Sequence, residues 1–199
     1  MAPRPRLEAG VAARSEPALG SVIEIKLPQR HAGLFPLCFS EIGRIERSFT
    51  RFKETSELSR LNRRLGVWQG ASDELIALAL RAEEFRQKTD GYFDITVKAR
   101  LEQLGYGPKS GGQETKKPFD PLALLRGLGP SVRVDRKNGR IWLGKQIEFG
   151  GLGKGYALDC VAALLEKSGA DHYFINAGGD VYARRGRGQG PWTVLLEHP

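Results

Sequence analysis

The 199 residues carry 31 Lys and Arg against 23 Asp and Glu, a net charge of +8, with 40% hydrophobic and 27% charged residues. That balance is ordinary for one globular domain, and no apolar run approaches the roughly 18 residues that a membrane span requires. The cationic excess is spread over Arg63-Arg64, Lys116-Lys117, Arg133 to Arg140 and Arg184 to Arg187. No aromatic side chains interleave with the last of these, which argues for basic surface rather than a nucleic-acid groove.

Residues 1–17 are polar, Pro-rich and basic, and are expected to form a flexible N-terminal segment ahead of one domain over 18–199. They contain no apolar core of a signal peptide and no lipobox cysteine, so the sequence as written reads as cytoplasmic. Val22-Ile-Glu-Ile-Lys-Leu27 alternates as a strand, stopped by Pro28. Leu34, Leu37, Cys38, Ile42, Ile45 and Phe49 recur at helical spacing, with Pro36 suited to the first turn. Ser56 is placed to cap a short helix carrying Leu58, Leu61 and Leu65 on one face. Ser72 caps a second helix with Asp73 and Glu74 in its first turn, a stripe of Leu75, Leu78, Ala79, Ala82 and Phe85, and Gly91 at its end.

Tyr92 to Val97 is β-rich, and Gly105 to Pro121 reads as loop. Val132 and Val134 face Ile141 and Leu143 across Asn138-Gly139, a hairpin signal. A two-residue turn there sets Val134 opposite Leu143. Further on, Leu158, Val161, Ala162 and Leu165 mark a helix, His172 to Asn176 a strand, Ala177 to Asp180 a glycine turn, and Trp192 to Glu197 a last strand. The mixture of hairpins and helices predicts an α+β fold, a mixed or antiparallel sheet with packed helices, rather than a parallel βαβ series. Cys38 and Cys160 fall among apolar helical neighbours and are expected as buried free thiols. The three histidines share no metal-ligand spacing.

The stretch Glu148-Phe-Gly-Gly-Leu-Gly-Lys-Gly-Tyr-Ala-Leu-Asp159 carries the chemistry. A glycine-dense turn feeding a helix N-terminus presents bare N–H groups to a phosphate, and Lys154 adds a positive charge beside them. A tight bend with close packing explains the glycines equally well. Neither a Walker A loop nor a dinucleotide fingerprint fits, because Glu148 stands at the first glycine position and Gly155 follows the lysine.

Several stretches together resemble the ApbE family of FAD:protein FMN transferases. Phe49-Thr-Arg-Phe with Ser56-Glu-Leu-Ser-Arg-Leu-Asn62 is similar to its S-x-Y…S-E-[IL]-S-R-[LI]-N segment. Thr89-Asp-Gly-Tyr-Phe-Asp-Ile-Thr-Val97 with Leu104-Gly-Tyr-Gly-Pro108 is similar to G-A-F-D-[IPV]-T-V…W-G-F-G. Glu148 to Asp159 resembles D-L-G-G-[IL]-A-K-G-[YW]-A-x-D, and Ile175-Asn-Ala-Gly-Gly-Asp180 resembles I-N-x-G-G-D/N.

The resemblance implies transfer of the FMN half of FAD to a threonine of an acceptor protein, with release of AMP and dependence on Mg²⁺. It implies flavin contacts at Leu19, Phe52, Tyr92, Phe93, Asp94, Glu148 and Lys154, and a metal contact at the carbonyl of Gly151. Leu19 replaces the family's methionine, Phe52 its tyrosine and Glu148 its aspartate. Tyr92 adds bulk where the family has a small residue. The family often lies outside the inner membrane on a lipid anchor. It also continues past the position of Pro199 with a histidine-bearing stretch and an acid and threonine that complete the metal site. A truncated, non-catalytic FAD-binding relative is accordingly the alternative.

Overall fold

The computed structural model describes residues 10–103 and 131–194. The chain divides into two compact units: residues 1–46 with 152–199, and residues 47–151.

The first unit contains a four-stranded antiparallel sheet. Its strands β1 (Val11–Ala18), β2 (Ser21–Pro28), β6 (Tyr173–Ala177) and β7 (Asp180–Arg184) lie in the order β1-β2-β6-β7. Ile23, Ile25 and Leu27 alternate inward along β2, and Tyr173, Ile175 and Ala177 along β6; Ile23 pairs with Ala177 and Ile25 with Ile175. They pack with Phe35, Cys38, Phe39 and Ile42 of helix α1 (Phe35–Phe49) and with Leu158, Val161, Ala162 and Leu165 of helix α5 (Gly150–Lys167). Each fully buried aliphatic side chain there contributes about 1.5–3 kcal/mol of transfer free energy. Leu37 lies off this stripe and is exposed. At the far end of β6, Tyr173 donates 2.8 Å to Glu166, and Arg184 pairs with the same carboxylate. The Arg184 bond, then the Tyr173 bond, holds Glu166 below the ordinary carboxylate range.

The N-terminal expectation is corrected here: Val11–Ala18, largely assigned to a flexible segment, is a strand paired along its length with β2. Pro17 is tolerated because β1 is the edge of the sheet. The last expected strand is corrected too. Residues 191–194 form no strand, and Trp192 instead stacks on His172 at 4.4 Å and donates to the Arg184 carbonyl. Residues 195–199 lie outside the described residues.

The second unit carries helix α2 (Glu57–Asn62), strand β3 (Trp68–Gly70), helix α3 (Asp73–Lys88), helix α4 (Lys98–Gln103), and strands β4 (Val132–Asp135) and β5 (Arg140–Leu143). The strands form an antiparallel sheet in the order β3-β5-β4. The Ser56 hydroxyl accepts from Ser59 N–H at 3.0 Å, and that of Ser72 from Leu75 N–H at 3.2 Å, so both helix starts are as expected. Leu65 falls beyond α2 and is exposed.

The hairpin register differs from expectation: Val134 pairs with Ile141 and Val132 with Leu143. Asp135 accepts from both the backbone and side-chain amides of Asn138, which builds a longer turn over Arg136 to Gly139. The shift is two residues, so the same side chains keep the same face.

Tyr92 to Val97 is not a strand. Asp94 accepts from Thr96 N–H at 2.7 Å and caps a 3₁₀ turn over Ile95–Val97, and this local bond overrides β propensity. The Gly105 to Pro121 loop and the Leu104 to Pro108 motif lie outside the described residues. Neither cysteine is in a disulfide; Cys38 is buried, whereas Cys160 is only half-buried.

Candidate functional site

The glycine stretch is helix, not loop. Helix α5 begins at Gly150, so Gly150, Gly151, Gly153 and Gly155 occupy its first two turns, none with a positive φ. Left-handed backbone therefore cannot explain them, although glycine in a helix costs about 1 kcal/mol relative to alanine.

Within the second unit, neighbouring side chains stand close to two of them. The Glu148 carboxylate is buried and turns back to accept from Gly150 N–H at 2.8 Å, taking one of the free donors at the helix start. A Cβ on Gly150 would stand 2.7 Å from that oxygen. A Cβ on Gly151 would stand 3.0 Å from Phe93 Cε2, so the ring lies directly on the bare backbone. Phe93 also meets Phe85 edge-on at 5.8 Å. Its ring thus serves local packing, and the Asp94 carboxylate caps the following turn. Phe52 and Tyr92 are different: they are 61% and 96% exposed, with the Arg51 guanidinium lying over the Phe52 ring at 4.6 Å.

Within the first unit, among the described residues no atom lies within 4 Å of a Cβ built on Gly153 or Gly155, which leaves open space on either side of Lys154 in the sequence. Lys154 is half-buried, and among the described residues its ammonium has neither a hydrogen-bond nor an ion-pair partner. It lies by the turn joining β6 to β7. Gly178 and Gly179 there have φ of 65° and 106°, and Asn176 Oδ1 accepts from Gly179 N–H at 2.9 Å. A Cβ on Gly178 would collide with Ser21 Oγ and stand 3.9 Å from Lys154 Nζ. Ser21 follows the other tight turn at this end of the sheet, Leu19-Gly20. Leu19 has φ of 54°, an unusual conformation for a bulky residue, and its N–H donates to Glu46 Oε1 at 3.1 Å. Its side chain packs against the core of this unit.

Lysine, serine hydroxyl and glycine turn form an arrangement suited to an anion. Among the described residues, no group of three or more His, Cys, Asp or Glu could hold a metal ion. The Gly151 carbonyl lies in a helix, where it accepts from the N–H four residues on, leaving one lone pair for any cation.

The ApbE family model matches residues 19–199. The chain belongs to the ApbE family. A relative named FAD:protein FMN transferase from Salmonella typhimurium is 31% identical over 158 residues, covering 74% of this chain and 45% of the relative. One of the same name from Escherichia coli K12 is 26% identical over 181 residues, covering 86% and 51%. The chain thus spans about half the length of these curated relatives. Among solved structures, the ApbE protein of Thermotoga maritima superposes with a TM-score of 0.74 at 27% identity, covering 87% of this chain and 58% of that one. The flavin transferase ApbE of Vibrio cholerae gives 0.79 at 20% identity, covering 94% and 63%. The fold is that of these ApbE proteins, an α+β fold with antiparallel sheets, as expected.

Sequence reasoning singled out Lys154 and the glycine turn. It missed the role of Asn62, quoted only as the end of a motif. The available signal was an asparagine directly after Leu61 on a short helix whose apolar face is buried.

Proposed function

We propose that this chain binds FAD and acts in transfer of its FMN half to a protein. In this reading Lys154 meets the diphosphate, with Ser21 and the Gly178-Gly179 turn beside it, and Leu19 lines the site. Separately, within the second unit, Phe52 and Tyr92 are proposed as aromatic surfaces for a flavin or adenine ring, and Phe93, Asp94 and Glu148 as the residues that shape that unit's backbone. The acceptor threonine hydroxyl attacks the FMN-side phosphorus and loses its proton, a P–O bond to FMN forms, and the bond to AMP breaks.

The single observation that carries this reading is the Lys154 ammonium, which has no protein partner among the described residues and lies by a glycine turn. An ammonium without a protein partner beside a glycine turn is available to the charged oxygens of an anionic ligand.

Mg²⁺ belongs to the proposal as a requirement of the reaction. The Gly151 carbonyl would supply at most one oxygen, whereas Mg²⁺ demands a near-octahedral set. The described residues do not complete such a site, and no step is derived through the metal.

The test is to incubate the chain with FAD, Mg²⁺ and an acceptor protein bearing a target threonine, and to look for covalent flavin fluorescence on the acceptor. Labelling supports transfer. FAD binding without labelling favours the non-catalytic reading. Absence of both removes the flavin assignment.

A further inference from the structure

The Glu148 carboxylate reaches Gly150 N–H from a segment that no ladder holds: residues 144–149 lie in neither strand nor helix. The support comes from the end of α2. Asn62 is 4% exposed, and its side-chain amide pairs with both backbone groups of Ile147. Nδ2 donates to the Ile147 carbonyl at 2.8 Å, and Oδ1 accepts from the Ile147 N–H at 2.8 Å. The Asn62 carbonyl also accepts from Gln146 Nε2 at 3.2 Å. The next N–H, that of Glu148, donates to the Ile95 carbonyl at 2.8 Å. Ile95 in turn sits in the 3₁₀ turn that Asp94 caps.

We infer that Asn62 is the positioning residue for Glu148, acting through the backbone of Ile147. The amide behaves as a strand of one residue, giving a donor and an acceptor to the Ile147 backbone, which is otherwise unpaired among the described residues. Ile147 is fully buried, so water cannot replace either bond. Only an amide of this length meets both needs. Aspartate supplies the acceptor but sets a second oxygen against the Ile147 carbonyl, and leucine supplies neither group. With Ile147 held by Asn62 and Glu148 N–H held by Ile95, the Glu148 side chain starts from a fixed backbone and reaches the helix N-terminus. The three motifs ending in Asn62, centred on Asp94 and beginning at Glu148 are thereby joined through backbone atoms, which explains why they are spread along the sequence yet belong to one unit. The consequence for the ligand rests on the proposed FAD reading; the consequence for Glu148 does not.

The experiment uses the full chain and compares Asn62→Asp and Asn62→Ser with Gln69→Leu. Gln69 is another buried amide of the same unit, donating to the Leu61 and Arg64 carbonyls at 3.0 and 2.7 Å. All variants are measured at a temperature where each is folded. Amide hydrogen exchange at Gly150 reports the Glu148 cap without any ligand. FAD fluorescence quenching reports the site, and the Asn62→Asp/Glu148→Ala double variant reports whether the two residues act as one. In the Asn62 variants, loss of one charge-assisted bond at Glu148 is expected to speed Gly150 exchange about tenfold and weaken FAD by a similar factor. Gln69→Leu is expected to lower stability while leaving both unchanged. The effects of Asn62→Asp and Glu148→Ala on FAD affinity are expected to be strongly non-additive.

Gly150 exchange in the Asn62 variants equal to that in Gln69→Leu overturns the inference, as does additivity in the double variant. If Asn62→Asp fails to fold, Asn62→Ser carries the comparison. If the wild-type chain does not bind FAD, the proposed function falls, and Gly150 exchange alone decides the role of Asn62.

Discussion

Replacing Gly153 by alanine separates the two reasons a helix could carry glycine. Among the described residues no atom lies within 4 Å of a Cβ built at this position, and φ is not positive, so the substitution meets neither collision nor strain there. The helix-propensity term then acts alone, and Gly153→Ala is expected to stabilise the chain by about 0.8–1.0 kcal/mol. For a chain of this size that is a rise in Tm of about 2–4 °C. At Gly151 the same gain is opposed by the Phe93 ring 3.0 Å away, so Gly151→Ala is expected to gain nothing or to lose stability. The open space at Gly153 is next to Lys154 in the sequence, and under the proposed function a methyl group there is expected to weaken FAD binding while the fold gains. Urea denaturation and FAD quenching on the same preparations measure both signs. Destabilisation by Gly153→Ala refutes the packing account. Stabilisation with unchanged FAD affinity refutes the claim that this glycine is kept for a ligand.

Gly178→Ala is expected to cost about 1–2 kcal/mol from its left-handed backbone alone, plus a collision with Ser21 Oγ that Ser21→Ala relieves. A double-mutant cycle in denaturant checks this, and equal costs in both backgrounds contradict it. Ser72→Ala removes the α3 cap and is expected to cost about 1 kcal/mol by the same assay. Burial pushes the Cys38 thiol from 9.0 up to about 11, against a weaker backbone hydrogen bond that lowers it. The unfolded thiol ionises first, so the contribution of Cys38 to stability is complete below about pH 9 and is lost as pH rises towards about 11. Cys38→Ala is expected to flatten that alkaline slope in urea titrations across this range.

What could be read from the sequence was whatever had a local cause. Ser56 and Ser72 announce helix starts because a hydroxyl three residues before a free N–H needs no tertiary help. Ile23, Ile25 and Leu27 announce a buried face because alternation has one geometric meaning. Tyr92 to Val97 misled because its composition favours a strand while a single Asp94 bond favours a turn. The hairpin slipped by two residues because Asp135 reaches Asn138, an interaction that turn statistics for Asn-Gly do not contain. Glycines 150 and 151 suggested a loop because the atoms that exclude a side chain there belong to Glu148, two residues away from Gly150, and to Phe93, distant in sequence. Asn62 stayed hidden for the same reason: its partner lies 85 residues away. Pro17 pointed to a loose terminus, but an edge strand accommodates it.

The most direct measurement of the central claim is titration of FAD with wild-type chain and with Lys154→Ala, following flavin fluorescence at equilibrium. A charged hydrogen bond to phosphate contributes about 1.5–3 kcal/mol, so the variant is expected to bind FAD about 10- to 100-fold more weakly than wild type. Equal quenching by both proteins, or none by wild type, contradicts the account.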